Sequence, residues 1–230
     1  MEKKKALIIG ASRGLGLALA KEFLERNWSV IGTVRQESGT ALHDLVQNSS
    51  DQLQVEVLDI TAIDQILSLK DRLQGRKFDL LFVNAGISNG RYETPITIAT
   101  DEFVRVMVTN ALSPMRVVET LESNVVEGGT IGVMSSGQGS VADNEKGGFE
   151  IYRSSKAALN TLMRSFAARH PEDSRSLLLI APGWIRTEMG GPDARYSIEE
   201  AIPRVVDTIV AQAGKVGLQY LDQFEKVVRW

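Results

Sequence analysis

The 230-residue sequence predicts a single-domain α/β protein, a doubly wound parallel sheet of about seven strands flanked by helices. Three observations predict it. Short apolar runs alternate with stretches whose apolar residues recur at helical spacing. Several runs are apolar at successive positions, the pattern of strands covered on both faces. No repeat, low-complexity tract or linker divides residues 1–230.

The elements follow in order. Residues 6–9, Ala6-Leu7-Ile8-Ile9, form the first strand and meet Gly10 at once. Leu15, Leu19 and Phe23 then mark one face of a helix over 15–27. Strands are predicted at 30–34 and 55–58, a helix at 63–73 and a fourth strand at 80–83. A long helical region covers 100–124, with Pro114 expected to kink or divide it. A fifth strand at 130–134 precedes a helix over 152–169, closed by Pro171. A sixth strand at 176–181, a Gly/Pro-rich loop at 182–192, a helix at 198–212 and a seventh strand at 218–220 complete the alternation. In such sheets ligands bind beyond the carboxyl ends of the strands, near the switch in strand order. The residues just after each strand are therefore the candidates.

Composition narrows the function. The formal charge of −3, from 26 basic and 29 acidic residues, gives no electrostatic reason for a nucleic-acid or membrane partner. With no cysteine, disulfides, thiolate catalysis and zinc–cysteine sites are excluded, and no metal site is expected. No apolar stretch reaches transmembrane length and no signal-peptide pattern opens the chain, so a soluble, cytoplasmic protein is expected.

The first strand runs into Gly10-Ala11-Ser12-Arg13-Gly14-Leu15-Gly16. Such glycines allow a tight turn and let a pyrophosphate approach backbone N–H groups at a helix N-terminus. The segment also fits the G-x-S-x-G elbow of α/β hydrolases, with Ser12 as nucleophile. That reading needs a downstream histidine base. Only His43 and His170 exist; His43 lies in a polar segment, and His170 ends a helix, where a cation has a structural use.

Five further segments line up with the glycine turn: Val83-Asn84-Ala85-Gly86, Asn110-Ala111, Ser135-Ser136-Gly137, Tyr152-Arg153-Ser154-Ser155-Lys156, and Pro182-Gly183-Trp184-Ile185-Arg186-Thr187. In this order they resemble the short-chain dehydrogenase/reductase family, over almost the whole chain. Residues 187–192 and 218–230 carry a narrower similarity to the small carbonyl reductases related to C-factor. The resemblance implies a Rossmann-type fold and an oxidoreductase that moves a hydride between nicotinamide and a carbonyl or hydroxyl carbon of a small molecule. It also implies a homodimer or homotetramer pairing the long helix and the Tyr152 helix. A cofactor-binding regulatory protein with little turnover is the alternative.

By the same resemblance, Tyr152 is general acid in reduction and general base in oxidation, and Lys156 assists it and binds the nicotinamide ribose. Tyr152 and Lys156 stand four apart, one turn from each other on a helix face. A nearby ammonium, joined by the oxidised nicotinamide, favours the phenolate, and lowering a tyrosine pKa from about 10 to about 7 takes about 4 kcal/mol, in a partly desolvated cleft. Ser136 matches the serine that bonds the substrate oxygen, with Ser135 and Ser140 as rivals. It lies 16 residues before Tyr152, a longer spacing than is usual in the family. Asn110 matches the helix asparagine that holds a proton-relay water toward Lys156. Asn84 is expected to brace the sheet while Ala85 and Gly86 touch the adenosine ribose.

For the cofactor, an acidic residue after the second strand would accept the NAD 2′-hydroxyl. Here Val34 is followed by Arg35, and Arg13 lies inside the glycine turn. Two cations and no acid suit a 2′-phosphate and predict NADP(H). The remaining expected contacts are Gly10, Ser12, Gly14, Leu15 and Gly16 at the turn, Asp59 and Ile60 at the adenine, Val108, and Pro182, Gly183, Trp184, Ile185 and Thr187 over the nicotinamide.

Overall fold

A computed structural model describes residues 3–46 and 50–230. Seven parallel strands run in the order β3-β2-β1-β4-β5-β6-β7. They are β1 (Lys5–Ile9), β2 (Ser29–Val34), β3 (Leu53–Val57), β4 (Phe78–Val83), β5 (Val125–Met134), β6 (Ser176–Ala181) and β7 (Gly217–Asp222). The helices are α1 (Gly14–Glu25), α2 (Ala41–Val46), α3 (Ile63–Arg72), α4 (Thr100–Met107), α5 (Ser113–Leu121), α6 (Glu150–Arg169) and α7 (Ile198–Ala211). The doubly wound sheet expected from the sequence is present.

Strand alternation divides the core into two layers. Ala6 and Ile8 of β1 join Leu80 and Phe82 of β4 on one face, under Leu19 and Phe23 of α1, Leu42 of α2 and Val205 of α7. Leu7, Ile9, Leu81 and Val83 point to the other face, under Ile66 of α3, Val117 of α5 and Leu159 and Phe166 of α6. Both faces of the central strands exclude water, which explains why their sequences are apolar without alternation. The chain reverses its winding between β1 and β4, so a crevice opens beyond their carboxyl ends.

Several sequence boundaries move. Helix α2 was not anticipated: its six residues bury little besides Leu42, so no helical period stands out. Strand β3 starts earlier than residue 55, as an edge strand with one neighbour and a half-exposed pattern. Strand β5 extends back to Val125 across an irregularity in its pairing with β4. The long helix is divided by a π-turn over Val108–Leu112, with Pro114 in the first turn of the helix that follows rather than at the break. Pro114 has no N–H for the carbonyl four residues back, that of Asn110, so α-helical bonding fails there.

Candidate active site

Beyond β1, the glycine turn is fastened on both sides. Gly10 N donates to Thr33 Oγ1 at 2.9 Å, and Ala11 N to the Thr33 carbonyl at 2.7 Å. Asn84 Nδ2 donates to the Gly10 carbonyl at 2.9 Å, the bracing role expected of it. Gly16 is obligatory: a Cβ there would lie 2.0 Å from the Gly10 carbonyl oxygen. Helix α1 therefore starts hard against the strand end. Its N-cap residue, Arg13, offers no side-chain cap, and no acidic residue lies in its first turn. The helix presents its positive end and unpaired N–H groups to the crevice, an arrangement that suits a pyrophosphate.

The two arginines stand in the open. Arg35 is exposed and makes no ion pair among the described residues. Arg13 is exposed and paired with Glu188, in the loop after β6. This partner was not foreseen, because 175 residues separate the two in sequence. Asp59 is partly spent: its Oδ1 accepts from Thr61 N at 2.9 Å and Thr61 Oγ1 at 2.7 Å. Ile60 is buried in the core, so only its backbone is available to a ligand.

Beyond β4 and β5 the polar side chains are buried and committed. Asn110, in the π-turn, is wholly buried. Its Oδ1 accepts from Ile87 N at 2.8 Å; its Nδ2 donates to the Ile87 carbonyl at 2.8 Å and to Ser155 Oγ at 2.9 Å. The side chain thus clamps the loop after β4 to α6. It has no donor to spare for a water, which limits a relay to the main-chain carbonyl. Val108 begins the same π-turn and is partly exposed.

Lys156 is buried, and its Nζ donates to the Met134 carbonyl at 2.9 Å, 5.8 Å from the Tyr152 ring centre. Burial pulls the ammonium down to about 8. Burial also pushes the Tyr152 phenol up to about 12, while the Ser136 hydroxyl beside it acts in the opposite direction. Desolvation is the largest of these effects. The phenol is a protonated acid at neutral pH.

Gly86 sits between Asn110 and Lys156: a Cβ there would lie 3.3 Å from Asn110 Oδ1 and 3.4 Å from Lys156 Nζ. A side chain there would crowd both groups.

The three serines separate cleanly. Ser135 is buried and donates to Asn160 Oδ1 at 2.6 Å. Ser140 is buried and accepts from Asp143 N at 3.1 Å. Ser136 is half-buried and neighbours Tyr152. Asn160 was missed in the sequence, yet it lies four residues after Lys156, a third polar residue with Ser155 on an otherwise apolar buried face.

The loop after β6 is partly buried. Pro182 and Ile185 are buried, whereas Gly183 and Trp184 are exposed. Trp184 Nε1 donates to the Gly190 carbonyl at 2.7 Å, and Thr187 Oγ1 accepts from Gly190 N at 3.0 Å. The histidines stay out of the site: His43 bonds Thr40 Oγ1, and His170 bonds the Phe166 carbonyl at the end of α6. The hydrolase reading therefore has no base for Ser12. Among the described residues no acidic or histidine cluster could hold a metal, and no helix is long and apolar enough to cross a membrane.

The family model for short chain dehydrogenases matches residues 4–196. The chain belongs to the short-chain dehydrogenase/reductase family. A crystal structure from Burkholderia multivorans, described as a short-chain dehydrogenase/reductase with bound NADP, shares 57% identity over 100% of both chains, at a TM-score of 0.97. A carbonyl reductase of Pseudomonas aeruginosa PAO1 in complex with NADP shares 35% identity over 100% of both chains, at a TM-score of 0.92. The C-signal protein of Myxococcus xanthus is 34% identical over 134 residues, 56% of this chain and 80% of that protein.

Proposed function

We propose that this member of an oxidoreductase family is an NADP(H)-dependent carbonyl reductase or alcohol dehydrogenase acting on a small molecule. One observation carries the reading: Tyr152 neighbours both the Ser136 hydroxyl and buried Lys156. Two relatives with bound NADP support the cofactor.

The crevice fits that cofactor. The uncapped α1 N-terminus suits a pyrophosphate, and Arg13 and Arg35 suit a 2′-phosphate. Asn84, Ala85 and Gly86 flank the path to the reaction centre, and Pro182 to Thr187 cover it. NADPH, when bound, supplies the hydride. Ser136 donates a hydrogen bond to the substrate oxygen and orients it toward Tyr152. Tyr152, protonated at neutral pH, gives its proton to that oxygen as negative charge develops on it. Lys156 stabilises the phenolate left behind and would bind a ribose hydroxyl of the nucleotide. Reprotonation runs past Gly86, through water held by the Asn110 main-chain carbonyl. In the oxidative direction the same tyrosine acts as the base and must first lose its proton. Partly exposed Phe103, Val104, Leu112 and Leu162 on α4, the π-turn and α6 supply faces for a homodimer or homotetramer.

Tyr152→Phe tests the reading. With a panel of aldehydes and ketones, NADPH oxidation by the variant is expected to fall about a thousandfold. NADPH affinity, read by fluorescence titration, should stay within about twofold. Undiminished turnover in the variant would overturn the assignment. Tight NADPH binding by the wild type without turnover on any carbonyl would favour the regulatory alternative.

A further inference from the structure

The segment that follows β6 in the sheet reaches both loops that flank the reaction centre. Tyr220, on β7, is buried, and its hydroxyl donates to the main-chain carbonyl of Ser136 at 2.5 Å. Gln223, just past β7, is buried, and its Nε2 donates to the carbonyl of Pro182 at 2.8 Å. A Cβ at Gly183 would meet that Nε2 at 2.7 Å, so the turn lies directly on the glutamine.

The two side chains are themselves fixed. Residues 220–228 fold back as a narrow ribbon: Val228 N donates to the Tyr220 carbonyl and Asp222 N to the Lys226 carbonyl, both at 2.9 Å. An antiparallel bridge joins Leu221 and Val227. The ribbon brings the Trp230 ring to 5.4 Å from that of Tyr220, and Arg164 of α6 caps the indole at 4.6 Å. Trp230 also returns to the serine loop, where its carbonyl accepts from Ala142 N at 3.0 Å and Arg229 pairs with Asp143.

Buried donors are costly to leave unpaired, and each of these has one well-defined acceptor on a loop that carries chemistry. Loops are the mobile part of a doubly wound fold, and a displacement of about 1 Å at reacting groups costs up to about a hundredfold in rate. We propose that Tyr220 and Gln223 are positioning residues, Tyr220 setting the Ser136 hydroxyl against Tyr152 and Gln223 setting the Pro182–Gly183 turn against the cofactor. This rests on the roles assigned above to Ser136 and Tyr152.

Tyr220→Phe keeps the ring and removes the donor; Gln223→Leu keeps the volume and removes the amide. Tyr220→Phe is expected to lower kcat about tenfold, with KM and NADPH Kd within about twofold. In a Ser136→Ala background it should cost nothing further, because it acts through that hydroxyl. Hydrogen exchange over 135–143 should quicken in Tyr220→Phe while Tm changes little. Gln223→Leu should raise the NADPH Kd about fivefold, read by fluorescence titration without turnover. Trp230→Leu should reproduce a milder Tyr220→Phe phenotype. Wild-type kcat in Tyr220→Phe, or a loss that multiplies in full with Ser136→Ala, would overturn the Tyr220 role. Unchanged NADPH affinity in Gln223→Leu would overturn the other. A fully active Tyr152→Phe enzyme would sink the reading of the site instead. The exchange and cofactor-binding measurements would then still decide whether the segment orders the two loops.

Discussion

At the heads of β1 and β2 the charged groups stand in water: Arg35 is exposed, exposed Arg13 meets a loop glutamate, and α1 begins without a side-chain cap. Beyond β4, β5 and β6 a set of polar side chains is buried, each with a hydrogen bond. Asn110, Ser135, Lys156, Asn160, Tyr220 and Gln223 all bond within the chain. The difference separates two tasks. Charges that will grip a phosphate are kept in water, where solvent screens them cheaply until a ligand arrives. Groups that must hold a reacting oxygen and a proton in register are taken out of water, where misplacement is costly and geometry persists.

The largest consequence falls on the buried half. Asn110→Leu leaves Ile87 N, the Ile87 carbonyl and Ser155 without their partner, so unfolding free energy should fall by about 3 kcal/mol. Urea denaturation measures it; a loss well under 1 kcal/mol would mean that the clamp is dispensable.

Lys156 adds a pH signature. Its folded value of about 8 lies below its ordinary value of 10.5. Between the two the unfolded chain holds the proton more tightly, so the burial penalty is fully present below pH 8 and fades as pH rises to about 10.5. The wild type should therefore gain about 2 kcal/mol on Lys156→Met between pH 7 and pH 10. Parallel stability curves for the two proteins across that range would contradict it.

The exposed half should respond in affinity rather than stability. Arg13→Ala with Arg35→Ala is expected to weaken NADPH about thirtyfold and NADH less than about threefold, with Tm unchanged. Equal losses for both nucleotides would remove the 2′-phosphate from these residues. The smallest effect belongs to Glu188, whose carboxylate holds Arg13 while both side chains are mostly exposed. Glu188→Gln should tighten NADPH about twofold by freeing the arginine, an advantage that disappears at high salt. Weaker binding in the variant would instead assign the glutamate to the cofactor side.

Tyr152 with Lys156, Asn84 after a strand and the glycine turn were legible because each is local: a helical turn, a strand end or a short loop. The two-faced strands were legible because burial on both sides removes alternation. The π-turn was half legible. Pro114 marked the place where α-helical bonding must fail, but the break falls before it, at Asn110, because the missing N–H is felt four residues upstream. Helix α2 was illegible, since six residues with one buried side chain carry no period.

The sequence alone determined the alternation of elements, the order of the motifs and the kinds of side chain available at each strand end. Those follow from periodicity and from backbone rules that act over a few residues. Only the tertiary structure decided that Asn110 spends its amide on Ile87 and Ser155, and that Glu188 meets Arg13. It alone decided that Tyr220 and Gln223 hold loops 84 and 41 residues away in the chain. These contacts depend on strand order and packing depth. Desolvation of the Tyr152 phenol, which raises it, likewise depends on packing and is not visible in sequence.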